Sequence, residues 1–181
     1  MKIVVGFDTE TTGLKVEKND RIIEFGMIGY DFDTQQEVFR YVKKVNPNRA
    51  IDPKAQLIHG ISQADLIGQP EFKEIEPTIS KVFAKANLVV AHNLMFDVEF
   101  LFAEYKLIGK QLPNVEGFDT MVEGRWATSE GKNPNLGELC YALEVDYDTK
   151  QAHGALYDVS RTMACFFEGI KRGGYKIKEF E

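Results

Sequence analysis

The chain has 181 residues, 44% of them hydrophobic and 28% charged, with a formal net charge of −6. That is enough for one folded domain over residues 1–181 with a substantial core, and no apolar run reaches the roughly 20 residues that would cross a bilayer. The acidity also argues against a protein that holds polyanions by surface charge alone, because such binding relies on basic side chains that displace counterions. Residues 3–9 (IVVGFDT) read as a buried strand ending in a polar turn around Thr12 and Gly13. Residues 21–32 and 36–45 read as two further strands joined at Asp33 and Thr34, and three strands with short links suggest an antiparallel meander. From residue 53 the periodicity becomes helical, with a strongly amphipathic stretch near 74–85. Residues 87–91 (NLVVA) read as a fourth strand, followed by a helix over about 94–107 with Phe96, Phe100, Ala103 and Leu107 on one face. A short fifth strand is expected near 115–118, then helices near 119–128 and 135–143. A last helix over about 155–171 should stop at Gly173 and Gly174. A meander followed by alternating helices and strands predicts an α/β domain with a mixed sheet covered by helices.

Three short segments place acids at the ends of predicted elements. Asp8 and Glu10 stand two apart at the end of the first strand, so their side chains share one side of the sheet. Charge there is costly unless it is paired or bound to metal, although a strand running out into a polar loop reads the same way. In AHNLMFDVEFL (91–101), Asn93 is a good N-cap, and Asp97 lies in the first turn of an otherwise apolar helix. A first-turn Asp can simply complement the helix dipole. In HGALYDVSRT (153–162), His153 precedes the final helix and Asp158 enters its first turn.

Taken together, FDTETTGL at 7–14, AHNLMFDVEFL at 91–101 and HGALYDVSRT at 153–162 resemble the three exonuclease motifs of the DEDDh superfamily, in order and over nearly the whole chain. IDPKAQLIHGISQADL at 51–66 is also similar to the connecting segment in proofreading exonuclease subunits and domains of bacterial replicative DNA polymerases. The resemblance implies a ribonuclease-H-like fold with about five strands flanked by helices. It implies 3′→5′ hydrolysis of nucleic-acid ends, with Asp8, Glu10, Asp97 and Asp158 holding two divalent ions, Mg²⁺ or in its place Mn²⁺. In this family Asp8 bridges both ions, Asp158 supports the ion that holds the attacking water, and Asp97 acts mainly through water. His153, five residues before Asp158, marks the subclass with a histidine base. The tyrosine subclass places its base four residues before, where this chain has Gly154.

Substrate contacts implied by the resemblance are Thr11, Thr12, Gly13 and Leu14, with Leu14 wedged against the terminal bases, and His59. His59 also reads as a loop histidine that caps a helix. One departure is Lys54, where many polymerase exonuclease subunits carry an acid that touches the nucleotide. Lys15, Lys18, Arg21 and Arg125 are candidate backbone contacts, or ordinary surface charges. Two Mg²⁺ ions would take the chain's net charge from −6 to −2, with the added positive charge sitting where a phosphate must go. The expected substrate is a DNA 3′ end, single-stranded or frayed, because residues 51–66 look more like the DNA-directed members. An RNA-trimming exoribonuclease of the same superfamily is the alternative, and a non-catalytic module that binds ends is a further one. A DNA polymerase is a candidate partner. Cys140 and Cys165 are too few for a disulfide scaffold and read as reduced core thiols. The acidic MKIVVGFDTE start does not suit a leader peptide, so a cytoplasmic protein without membrane association is expected.

Overall fold

The computed structural model describes residues 2–177. Five strands form one sheet in the order β3-β2-β1-β4-β5. They are β1 (Ile3–Thr11), β2 (Ile22–Asp31), β3 (Glu37–Lys44), β4 (Leu88–Ala91) and β5 (Gly117–Asp119). The first three make the antiparallel meander expected from their short links, while β4 runs parallel to β1, and β5 parallel to β4. As the central strand β1 is covered on both faces, so its first half is a continuous apolar run.

Alternation divides those two faces. Val5 and Phe7 join Phe25 and Met27 against α2 (Phe72–Phe83) and α3 (Leu94–Leu107), where Phe72, Ile75, Ile79, Phe83, Phe100, Leu101 and Tyr105 fill the core. Val4 and Ile28 face α5 (Ala155–Lys171), meeting Val159, Met163 and Phe166. α1 (Pro53–His59) and α4 (Leu136–Ala142) are single short helices. α4 leans on α5, where the free thiols of Cys140 and Cys165 lie 3.4 Å apart, both buried. The last helix stops where the sequence predicts. Gly173 takes a left-handed conformation (φ 73°), and the Gly174 and Tyr175 N–H groups donate back to the Gly169 carbonyl.

Two glycines bring α5 unusually close to the sheet. A Cβ on Gly6 would lie 2.5 Å from Met163 Cγ, and one on Gly26 would lie 2.8 Å from the Ala155 Cβ. Gly26 is the cross-strand partner of Asp8. The close approach therefore falls where the first turn of α5 meets the acidic end of β1.

Two expectations need correction. Residues 119–128 do not form an α-helix, only a 3-10 turn over Glu123–Ala127. The Asp119 carboxylate ends β5 by accepting the N–H groups of Met121 and Val122, which tightens the chain into a turn. The face of α3 is also rotated from the one expected. Leu107 is 63% exposed and Ala103 only partly buried, whereas Phe100, Leu101, Glu104 and Tyr105 are buried with Asp97. The helix is apolar nearly all round, so hydrophobic spacing alone cannot fix its phase. Its phase follows two acids, Asp97 and Glu104, seven residues apart and both hydrogen-bonded to the strands.

Candidate active site

β1 outruns its parallel neighbour. It pairs with β4 only through Val4, Val5 and Gly6, so residues 7–11 face no strand on that side. A backbone N–H exposed in such a notch needs another acceptor, and the first turn of α3 supplies it. Asp97 Oδ1 accepts the Thr9 N–H at 3.0 Å and the Thr9 hydroxyl at 2.6 Å.

On the other face of β1, Asp8 and Glu10 point toward α5, as their spacing predicts. The first turn of α5 brings Asp158 to them. One carboxylate oxygen from each of Asp8, Glu10 and Asp158 lies within 4.8 Å of the others. Asp158 Oδ2 accepts the His153 N–H at 3.0 Å, while Oδ1 is buried without a partner. His153 itself is exposed and left-handed (φ 64°), which turns the chain sharply into α5. Asp97 stands outside the group of three.

The register adds an acid that the sequence reading passed over. Glu24 lies directly across from Glu10 on β2. Its signal was a lone charge inside the apolar strand RIIEFG. Burial pushes its carboxyl up, with Lys44, its cross-strand partner on β3, pulling the other way. Between Glu10 and Thr11 the β1–β2 register shifts, which lets Ile22 and Phe25 share one core while Ile23 joins Ile51, Ile61 and Leu66 in another. That small cluster seats the 51–66 segment beside the acids.

His59 ends α1 there. Its Nδ1 accepts the Ile61 N–H at 3.0 Å, the capping role expected as one of two readings, while Nε2 is buried without a partner. Burial lowers its pKa, and the nearby charge of His153 acts in the same direction against the Thr11 backbone. Leu14 projects at 73% exposure, whereas Thr11 and Thr12 are turned in. The Thr11 hydroxyl donates to the Gly13 carbonyl, and the Thr12 hydroxyl accepts the Arg21 N–H. Gly13 is required because a Cβ would lie 2.5 Å from Asp20 Oδ2. Asn93 occupies the N-cap position of α3, but its side chain caps nothing. The Asp119 carboxylate accepts the Asn93 and Leu94 N–H groups instead. Of the basic candidates, Arg21 is tied to Glu104 and Arg125 to Asn133, whereas Lys15, Lys18 and Lys54 are exposed. His92, the third histidine, links Thr120 and the Pro134 carbonyl, a purely structural tie.

So many acids in one place repel. Burial, then the charges of Asp97, Glu10, Asp158 and Glu24, hold the Asp8 carboxyl well above the usual range. Burial and the same neighbours push Glu10 up to about 9, and burial takes Asp97 to about 7. Asp158 is also raised by burial. An all-oxygen donor set with one orphaned oxygen, short of positive charge, fits a hard divalent cation.

This has a measurable effect on stability. Folded pKa values raised above unfolded ones stabilise fully below the unfolded carboxylate range, near pH 4, and that contribution is lost as pH rises through the folded values. A bound cation offsets the loss. The gain in Tm on adding Mg²⁺ to chelator-treated protein is therefore expected to grow from pH 6 to pH 9. Glu10→Gln should flatten the trend. A gain independent of pH in thermal melts would mean that the acids are not repelling one another.

Residues 5–166 match the exonuclease family. The chain belongs to this family. It is 39% identical over 165 residues to the DNA polymerase III subunit epsilon of Treponema pallidum (strain Nichols), a match spanning 88% of this chain and 73% of that one. Exonuclease X in complex with 5′ overhanging duplex DNA has the same fold, with a TM-score of 0.73 at 24% identity over 97% of this chain and 96% of that one. The zinc-bound E. coli exonuclease I–ssDNA complex superposes with a TM-score of 0.83 at 19% identity, covering 99% of this chain but 42% of the larger enzyme. As a member of the exonuclease family this chain is an enzyme, and its ribonuclease-H-like sheet is the family's. No helix among the described residues is long and apolar enough to cross a membrane.

Proposed function

We propose that the protein is a 3′→5′ DNA exonuclease that releases nucleoside monophosphates, using two Mg²⁺ ions, or Mn²⁺, at the end of β1. The observation that carries this reading is the meeting of Asp8, Glu10 and Asp158 within 4.8 Å, drawn from the two ends of a chain that matches an exonuclease family. Asp8, Glu10 and Asp158 would hold the ions directly. Asp97, its Oδ1 committed to Thr9, would act one layer out. When bound, paired divalent ions supply Lewis acidity toward the phosphate and lower the pKa of water.

The remaining work falls to the chain itself. His153 takes the proton from the attacking water at an imidazole nitrogen, acting as the general base. Its left-handed backbone and its N–H bond to Asp158 fix where that imidazole starts from. Leu14 offers an exposed apolar surface to the terminal base, and the backbone of Thr11 to Gly13 approaches the terminal sugar. His59 offers the unpartnered Nε2 as a donor to phosphate or sugar oxygen. DNA is favoured over RNA by the epsilon relative, whose name is that of a DNA polymerase subunit, and by the DNA bound in the two structural neighbours. The same likeness supports a polymerase as a partner, and the cytoplasm as the compartment.

Direction provides the test. A DNA strand blocked at its 3′ end should survive in Mg²⁺, and the same strand blocked at its 5′ end should shorten one nucleotide at a time. Release of internal fragments on a denaturing gel would overturn the reading, and faster loss of a matched RNA would move the substrate to RNA.

A further inference from the structure

Glu104 is a carboxylate that the chemistry above does not use, yet it is 1% exposed. It lies on α3 seven residues beyond Asp97, two turns along the same face. Both its oxygens are committed. Oε1 accepts Arg21 Nε at 2.7 Å and the Ile22 N–H at 3.2 Å, and Oε2 accepts Arg21 Nη2 at 2.7 Å. A planar guanidinium gripped at two points fixes direction as well as distance.

The residue so gripped is the foot of the Thr12–Arg21 loop. The Thr12 N–H donates to the Arg21 carbonyl at 2.8 Å, and the Arg21 N–H donates to the Thr12 hydroxyl at 3.0 Å. The neighbouring Asp20 folds the loop upon itself, accepting the Lys15 N–H at 3.0 Å on one oxygen and Arg49 Nη2 at 3.0 Å on the other. Asp20 thus ties the loop to itself and to Arg49. The Arg21–Glu104 pair does something separate, tying the loop to the helix whose Asp97 holds Thr9.

We infer that Arg21 and Glu104 are positioning residues for the terminal nucleotide, setting the height of the Leu14 turn above the carboxylates. α3 grips the end of β1 at Thr9 and the start of β2 at residues 21 and 22, so the exposed leucine and the acidic cluster share one rigid reference. The inference rests on the exonuclease reading and assigns the pair to substrate placement, not to proton transfer or to metal.

The test uses Glu104→Gln, which keeps the shape and removes the charge, and Arg21→Lys, which keeps the charge and removes the fork. Binding of a fluorescent single-stranded oligodeoxynucleotide is measured in Ca²⁺, and turnover in saturating Mg²⁺. Each variant should bind roughly tenfold or more weakly and raise KM to match, because the loop that presents Leu14 is then no longer pre-organised and must be ordered on binding. kcat should change far less, and the pH profile and Mg²⁺ requirement should match the wild type. The double variant should be no worse than the weaker-binding single one, since the two side chains act as a unit. Hydrogen exchange at the amides of residues 13–20 should quicken in both, a readout that needs no turnover. Unchanged binding in folded variants overturns the inference, as does a fall in kcat with an altered metal requirement. Wild-type protein that binds the oligonucleotide but does not cut it in Mg²⁺ would count against the exonuclease reading alone.

Discussion

Asp8→Ala is expected to abolish turnover and to remove most of the divalent-ion binding. Asp8 is raised by burial and then by the charges of Asp97, Glu10, Asp158 and Glu24, more acids than bear on any other member of the group. It is therefore the position where a cation gains most from being present. Transition-state charge stabilisation by bound metal is worth several kcal/mol, and each ~1.4 kcal/mol is tenfold in rate, so a loss of about three orders of magnitude or more follows. The same surroundings predict an opposite effect on the metal-free fold. The isosteric Asp8→Asn removes one of the mutually repelling groups, so the Tm in chelator at pH 8 should rise while activity disappears. Calorimetric Mn²⁺ titration alongside thermal melts measures both. Retained activity, or a lower metal-free Tm for Asp8→Asn, would show that Asp8 does not sit at the centre of a cation site.

The second large effect belongs to His153 and should differ in kind. Loss of a general base slows the reaction by roughly 10²–10⁴-fold while the ions stay bound. The backbone dictates the choice of variant. His153 is left-handed, a conformation that Asn tolerates better than most residues. Its N–H bond to Asp158 survives any side-chain change except proline. His153→Asn therefore isolates the imidazole better than His153→Ala, which adds backbone strain. The variant should recover part of its rate at high pH as hydroxide replaces the base, whereas the wild type should gain less from the same change. If His153→Asn weakened Mn²⁺ binding as severely as Asp8→Ala, the histidine would be a ligand or a prop for Asp158, not a base.

The strands and most helices were legible because their signals are local. IVVGF announces a strand covered on both faces, alternation places Asp8 and Glu10 together, and two glycines close the last helix. The three motifs were legible as a set through their resemblance, in order, to those of an exonuclease superfamily, since each acid alone reads equally well as a strand end or a helix-dipole residue. What escaped depends on which residues meet across the fold. No spacing rule tells that Thr9 will hold Asp97, since this follows from β1 outrunning β4 by several residues. Nor could spacing assign the cap of α3 to Asp119, 26 positions beyond Asn93. Glu24 was readable as an oddity in its strand, but only the β1–β2 register sets it opposite Glu10. α3 itself shows the limit of hydrophobic patterning. With Met95, Phe102 and Leu107 all apolar and all exposed, the buried polar contacts, not the apolar ones, choose its orientation.

Gly6 and Gly26 lend this site an unusual kind of control. α5 comes close to the sheet at both, its Ala155 backbone and Cβ against Gly26 and its Met163 and Val159 side chains against Gly6. At Gly26 the gap between the acids of β1 and the acid of α5 is therefore gauged by peptide thickness, a dimension that rotamer changes cannot alter. A methyl group at Gly26, 2.8 Å from the Ala155 Cβ and 3.1 Å from its backbone carbon, would act as a shim, lifting the first turn of α5 and widening the gap between Asp8 and Asp158 without touching either acid. The spacing of these acids is thus set at a position that carries no charge, and a single substitution there would change it while every carboxylate stays intact.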